Sequence, residues 1–184
     1  MSALNIAVLV GSLSKDSYNR KIADYLAAHA PADIELHQIQ LDSLPVYDRD
    51  LDALKPQPER YTALRRAIAQ ADGVIFVTPE HNAAIPAVLK NAVDICTRPA
   101  GQNLWRGKPT GIITAAAAMA GGQRVGDQLR AVCVSLEMPV LPLQTPISQV
   151  HAAFDETGRL NSEAVQKRLD SFIAAYALFA AKFA

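Results

Sequence analysis

The chain has 184 residues, of which 50% are hydrophobic and 20% are charged, and its 18 basic and 18 acidic side chains leave a formal net charge of zero. This length is sufficient for one domain with a full hydrophobic core and is short for two. Without net charge, the chain lacks the global field that attracts nucleic acid or an anionic membrane. No apolar stretch is long enough for a membrane-spanning helix, so we expect no membrane span.

The cysteines and histidines suggest neither a disulfide framework nor a metal site. Cys96 and Cys133 lie far apart in mostly apolar surroundings, and there is no CxxC pair. The four histidines form no HxxH or HxxxH spacing, so no bound metal is expected. The first residues lack the pattern of a signal peptide, which together with the free cysteines favours a reducing, cytoplasmic location.

Strand-like and helix-like segments alternate along the chain. Residues 4–10 form a near-continuous apolar run, which is typical of a strand buried on both faces. Further strands are predicted at 34–41, 73–78, 110–114 and 139–143. Helical spacing of apolar residues predicts helices at 19–29, 59–71, 86–97, 122–136 and 160–183, with Pro86 at the first helical position.

This alternation predicts an α/β fold in which helices cover both faces of a parallel sheet. Five strands fit a flavodoxin-like doubly wound sheet better than a six-stranded dinucleotide fold. We expect residues 1–184 to form a single domain. Residues 42–58, rich in proline and aspartate, are predicted to be a loop, and 147–160 a surface excursion before the last helix.

Open parallel sheets bind ligands beyond the carboxyl ends of their strands, where the loops 11–19, 79–86 and 115–122 are expected. The first loop, GSLSKDSYN, precedes a helix whose N-terminus can bind an anion. It lacks the GxGxxG and GK[ST] motifs, but it offers hydrogen-bonding side chains to a phosphate at Ser12, Ser14, Ser17 and Asn19. The alternative is that Ser17 or Asn19 only caps the helix.

The other two loops complete the predicted site. Residues 79–91, PEHNAAIPAVLKN, carry Glu80, His81 and Asn82 between two prolines, which fits either a polar wall for a flat heterocycle or an ordinary turn. The third loop, TAAAAMAGG, has small side chains that let a ligand approach the backbone closely. A phosphate site beside a planar binding surface indicates a mononucleotide such as FMN.

The motifs GSLSKDSYN, PEHNAAIPAVLKNAVD, GKP and TAAAAMAGGQR resemble, in this order, those of the NAD(P)H-dependent FMN reductase and quinone (chromate) reductase family. The resemblance extends over nearly the whole chain. It implies a flavodoxin-like fold, non-covalent FMN, and assembly into homodimers or homotetramers. It also implies transfer of two electrons from NADH or NADPH to a small acceptor, which is a quinone, a free flavin, an azo dye or a metal oxyanion.

Position by position, the resemblance implies a cofactor site built from the three loops. The FMN phosphate would contact Ser12, Ser14, Ser17, Tyr18 and Asn19. The isoalloxazine ring would lie against Pro79, Glu80, His81 and Asn82, near the backbone of Ala115 and Ala116. Asn91 and Asp94 would help to hold the second loop. No side chain is expected to act as a catalytic acid or nucleophile, because the flavin carries the redox chemistry.

This chain departs from the family pattern at several positions of the three loops. It has Ser14 where the family usually has arginine and His81 where it usually has tyrosine. Ala83 and Ala84 stand where the family has bulkier or hydroxylated residues, and Ala118 replaces a glycine of the third loop. Because of these departures, a non-catalytic protein that has lost FMN remains an alternative. A flavodoxin-type electron carrier is a further alternative, although such carriers are more often strongly acidic for docking.

The resemblance also predicts which surfaces would meet in a homodimer. The helices that follow the second and third loops carry broad apolar stripes. The residues of these stripes are Val88, Leu89, Ala92, Val93, Val125, Leu129 and Val132. Core packing alone also explains them. Trp105 and Arg124 are the further residues expected at such a contact.

Overall fold

The computed structural model describes residues 3–184, and its five strands form one parallel sheet in the order β2-β1-β3-β4-β5. The strands are β1 (Leu4–Val10), β2 (Ile34–Ile39), β3 (Gly73–Thr78), β4 (Thr110–Ala115) and β5 (Thr145–Ile147). This is the flavodoxin-like doubly wound order. The predicted fold class is therefore confirmed.

Helices cover both faces of the sheet and create two separate cores. The helices are α1 (Tyr18–Ala28), α2 (Glu59–Gln70), α3 (Ala87–Ile95), α4 (Gln123–Ser135) and α5 (Glu163–Ala180). Alternate residues of β1 point to opposite faces: Ile6 and Val8 pack with α1 and α5, whereas Ala7 and Leu9 pack with α2, α3 and α4. Burial on both faces explains the near-continuous apolar sequence of this strand.

The fifth strand lies further along the chain than predicted. Residues 139–143 form only one bridge to the sheet, between Val140 and Thr110, and the paired strand is Thr145–Ile147. Pro139 and Pro142 have no N–H group, so this stretch cannot donate the hydrogen bonds of a continuous ladder. The prediction of a strand at 139–143 was wrong for this reason.

The segment 147–160 is only partly the surface excursion that its sequence predicted, because exposed residues alternate in it with buried ones. Val150, Ala153 and Leu160 are buried in the core on the side of α1 and α5. A short 3-10 helix (Val150–Ala153) interrupts the segment. Its backbone also bonds to Ala116 of the third loop, which therefore depends on this segment for its shape.

Two smaller predictions also need correction. Pro86 is the N-cap of α3 and precedes the first helical residue, Ala87. Trp105, expected at a dimer contact, is 0% exposed, and its indole N–H donates to the carbonyl of Val93 at 3.0 Å. Trp105 therefore belongs to the core of the folded chain and offers no contact surface.

Candidate active site

The first loop begins with Gly11, which lies so close to β3 that a residue with a side chain would not fit. The Gly11 N–H donates to the Val77 carbonyl at 2.9 Å. A Cβ atom on Gly11 would lie 2.3 Å from Thr78 Oγ1, which is far inside van der Waals contact. The absence of a side chain at Gly11 therefore lets the start of the first loop lie against the end of β3.

The residues after Gly11 form an open loop that ends at the N-terminus of α1. Ser14 is exposed, and its N–H donates to Ser12 Oγ at 3.4 Å. Ser17 is the N-cap of α1, and its hydroxyl accepts from the Arg20 N–H at 3.3 Å. Ser17 therefore caps the helix, as the alternative expected. The helix N-terminus beside Ser12 and Ser14 has the positive partial charge that favours an anion.

Asn19 links the first loop to the third. Its side chain is buried, and Nδ2 donates to the Ala115 carbonyl at the end of β4, at 3.3 Å. The amide oxygen is also buried but accepts no hydrogen bond within residues 3–184. Leaving such an oxygen unpaired is unfavourable. The site therefore has an unused acceptor where α1 meets β4.

Tyr18 faces the segment that follows β5. Its half-buried ring lies 5.1 Å from the ring of Phe154, centroid to centroid. Lys21 Nζ lies 5.4 Å from the Tyr18 ring centroid, within the range of a cation–π contact. The aromatic ring of Tyr18 thus joins the start of α1 to residues beyond the sheet.

The second loop contains a tight hairpin turn. The His81 N–H donates to the Ala84 carbonyl at 3.1 Å, and the Ala84 N–H donates to the His81 carbonyl at 2.9 Å. The two central residues, Asn82 and Ala83, have φ values of 50° and 61°. Positive φ at both central positions is the geometry of a type I′ turn, which asparagine tolerates better than alanine. His81 and Asn82 are both exposed on this turn.

Glu80 directs its carboxylate to the N-terminus of α4. Its Oε2 accepts from the Val125 N–H at 3.4 Å, and its Oε1 lies 3.5 Å from Arg124 Nη1. The Glu80 side chain is 15% exposed, whereas that of Arg124 is 70% exposed. Gly122, the N-cap of α4, has no side chain with which to cap the helix. Glu80 therefore supplies the negative charge that this helix N-terminus favours.

The third loop follows β4 and turns sharply at two glycines. Gly121 and Gly122 have φ values of 58° and 81°. The Thr114 hydroxyl donates to the Gly121 carbonyl at 2.8 Å and so closes the loop. Ala116 uses both of its main-chain groups on the segment after β5, since its N–H donates to Ile147 O and its carbonyl accepts from Val150 N–H, each at 3.1 Å.

The three loops meet at one edge of the sheet because β1, β3 and β4 are adjacent. The Gly11–Val77, Asn19–Ala115 and Glu80–Val125 hydrogen bonds link the strand ends, the loops and α4 to one another. The juxtaposition expected from the sequence is thus observed. Sequence reasoning did not find these links, because each of them joins residues that are distant in the chain.

Asn91 and Asp94 do not hold the second loop, contrary to expectation. Asn91 accepts from the Tyr47 N–H at 2.8 Å and donates to the Pro45 carbonyl at 3.0 Å, so it fixes the loop between β2 and α2. Asp94 pairs with Lys90 on the same helix at 2.7 Å. Both residues therefore stabilise elements outside the three-loop edge.

Neither cysteine has the properties of a redox-active or nucleophilic thiol. Both are buried and unpaired, and burial raises the pKa of the Cys96 thiol to about 12 and that of Cys133 to about 12. Such thiols stay protonated at neutral pH. Within residues 3–184, no three His, Cys, Asp or Glu side chains form a group that could hold a metal ion. The same residues include no helix that is long and apolar enough to cross a membrane.

Residues 4–152 match the family described as NADPH-dependent FMN reductase. A quinone reductase of Pseudomonas putida is 38% identical over 174 residues, which cover 94% of this chain and 92% of that protein. A 2-hydroxy-1,4-benzoquinone reductase of Burkholderia sp is 39% identical over 176 residues, covering 95% of each.

A solved structure shows the same architecture. FerB from Paracoccus denitrificans, described as a flavoenzyme NAD(P)H:(acceptor) oxidoreductase, superposes with a TM-score of 0.89 at 34% identity and covers 98% of both chains. The match extends over all five strands and the three loops at their carboxyl ends. Together with the order of the motifs, these similarities show that the chain is an oxidoreductase that belongs to the NADPH-dependent FMN reductase family.

Proposed function

We propose that the protein transfers electrons from NADH or NADPH to quinones and binds FMN non-covalently at the edge where the three loops meet. The observation that carries this proposal is the linked arrangement of these loops beside the N-terminus of α1. The relatives named quinone reductase support the choice of acceptor. Free flavins, azo dyes and metal oxyanions are the other acceptor classes to compare in the same assay.

The residues of the first loop fit a phosphate monoester. The N-terminus of α1 offers main-chain N–H groups and a favourable dipole, and the hydroxyls of Ser12 and Ser14 lie beside it. Ser17 would act mainly through its backbone, because its hydroxyl caps the helix. Tyr18 would border this end of the cofactor. A hydroxyl on the ribityl chain of the ligand is the kind of donor that the unpaired oxygen of Asn19 lacks.

The second and third loops fit a planar ring. Pro79, Glu80, His81 and Asn82 would line it on one side, with Glu80 contributing main chain because its carboxylate is bonded to α4. The backbone at Ala115 and Ala116 would line it on the other side. When bound, FMN supplies the hydride and electron chemistry, and the chain's own groups hold and orient it. No catalytic acid or nucleophile is required of the protein.

The experiment that tests this function combines a spectrum with an activity assay. We expect the purified protein, after incubation with FMN and gel filtration, to keep the visible absorption bands of bound flavin. We expect it to oxidise NADH or NADPH only when a quinone is added. Protein that retains flavin but reduces no quinone would support an electron carrier, and protein that retains no flavin would support a fold that has lost its cofactor.

His81 is proposed to line the path by which the acceptor approaches, because it is exposed on the turn beside the ring. Replacing it with the family's usual residue, in His81→Tyr, should leave FMN binding unchanged. It should alter the ratio of kcat/KM between a small and a bulky quinone by about three- to tenfold, which corresponds to a contact of roughly 1 kcal/mol. His151→Tyr, at an exposed histidine of the segment after β5, is the matched control. An unchanged ratio in His81→Tyr would show that this side chain is only part of the turn.

The assembly and the location are also proposals. Arg124 is exposed and Val88 and Val132 are only partly buried, which leaves surface on α3 and α4 for a homodimer or homotetramer. A single domain over residues 1–184 is consistent with one continuous sheet. A cytoplasmic location is supported by two cysteines that remain free thiols.

A further inference from the structure

Gln128 binds the main chain of the second loop at two points. Its side chain is on the exposed face of α4, and its Nε2 donates to the Ala83 carbonyl at 2.8 Å. Its Oε1 accepts from the Ile85 N–H at 3.3 Å. The two contacts lie on either side of Ala84, so one amide group holds the end of the hairpin turn against the helix.

The turn that Gln128 holds has an unfavourable backbone conformation. Ala83 has φ of 61°, a region in which the Cβ of a residue other than glycine is crowded. Such a conformation costs about 1 kcal/mol or more and persists only when the surroundings fix it. The cross-turn bonds between His81 and Ala84 are local to the turn. The contacts from Gln128 are therefore the ones that couple the strained residue to a rigid element.

Glu80 fixes the other end of the same loop on the same helix. Its carboxylate bonds to the Val125 N–H, one turn of α4 before Gln128. The loop from 80 to 85 is thus attached to α4 at both ends, with His81 and Asn82 exposed between the attachment points. The orientation of the exposed pair depends on where α4 holds these ends.

We propose that Gln128 is a positioning residue that fixes the turn of residues 81–84 and thereby sets the direction in which His81 meets the acceptor. Its effect on catalysis rests on the proposed function, whereas its effect on the turn does not. Gln128 touches neither the reacting atoms nor the proposed cofactor contacts directly. It acts through the backbone of Ala83 and Ile85.

The structural part is tested without cofactor by amide hydrogen exchange of the full chain. In Gln128→Ala, the N–H groups of Ala84 and Ile85 should exchange about three- to tenfold faster, as expected when a hydrogen bond of ordinary strength is lost. Gln128→Glu keeps an acceptor for the Ile85 N–H but loses the donor to the Ala83 carbonyl. Exchange of the Ile85 N–H should therefore stay slow, whereas exchange of the Ala84 N–H should still be faster than in the unchanged chain. Val134→Ala, at an exposed position of the same helix, should change neither rate.

A second substitution separates positioning from general destabilisation. Adding Ala83→Gly to Gln128→Ala removes the crowding at positive φ, so the turn should recover part of its protection. Because the second loop is also attached through Glu80, the midpoint of thermal unfolding should stay close to that of Val134→Ala. Unchanged exchange at Ala84 and Ile85 in Gln128→Ala would overturn the positioning role.

The catalytic part is tested with FMN bound. Gln128→Ala should raise KM for quinones by about three- to tenfold while kcat changes less, since the turn is displaced but the cofactor stays in place. Faster exchange together with unchanged quinone KM would overturn the link to His81 while the proposed function stands. A wild-type protein that reduces no quinone would overturn the proposed function itself, and the exchange measurement would still decide the role of Gln128 in the turn.

Discussion

Replacing Gly11 with alanine should weaken FMN binding by about 10- to 100-fold, which corresponds to the roughly 1 to 3 kcal/mol that overpacking typically costs. The added Cβ would lie 2.3 Å from Thr78 Oγ1 and 2.9 Å from Thr78 Cβ. The first loop must then move away from β3, and the N-terminus of α1 moves with it. Isothermal titration of the apoprotein with FMN measures the change directly.

Two further variants show whether the contact with Thr78 is the cause. Gly126→Ala adds the same methyl group on α4, where it would meet only Thr114 Cγ2 at 3.4 Å, and it should leave FMN binding unchanged. Combining Gly11→Ala with Thr78→Ala removes the nearer obstacle, Oγ1, but keeps Thr78 Cβ, so it should recover part of the affinity. Normal FMN affinity in Gly11→Ala alone would mean that the first loop is not part of the binding site.

Asn19→Ala should weaken FMN binding by about tenfold, because it leaves the buried Ala115 carbonyl without its donor and releases α1 from the end of β4. Asn19→Asp has the same shape but also replaces the donating amide with a negative charge. If the FMN phosphate lies at the N-terminus of α1, the aspartate variant should bind FMN at least several-fold more weakly than the alanine variant.

Comparing the FMN dissociation constants of Asn19→Ala and Asn19→Asp therefore tests whether the phosphate lies near this residue. Equal dissociation constants would place the phosphate away from Asn19 and reduce this residue to a structural link between two loops. Ser171→Ala, on the exposed surface of α5, is a suitable control.

The sheet and its helices were predictable because their sequence patterns are local. The apolar run at Leu4–Val10 and the helical spacing of Ile22, Ala23 and Leu26 reflect burial that each segment shows by itself. The fifth strand was misplaced because the apolar residues of 139–143 resemble a strand, whereas the prolines among them prevent pairing. The position of the paired strand depends on the register with β4, which no local pattern encodes.

The meeting of the three loops at one edge of the sheet was predictable, and the contacts that they make there were less so. The rule that ligands bind at the carboxyl ends of parallel strands correctly located the three loops. The roles of Glu80 and Gln128 depend on α4 lying beside the second loop, and Asn91 was assigned to the wrong loop for the same kind of reason. A polar side chain in a sequence does not reveal which distant backbone group it meets in the folded chain.

The bonds between Ala116 and the segment after β5 have a consequence for how such proteins are recognised and engineered. All the motifs quoted above for the family end by Arg124, yet Ala116 of the third loop is hydrogen-bonded to Ile147 and Val150. A truncated or chimeric gene with foreign sequence after residue 140 would still encode every one of these motifs. In its product, the third loop would lack the hydrogen bonds that Ile147 and Val150 make with Ala116. Motif content alone would therefore overstate the ability of such a product to form this edge of the sheet.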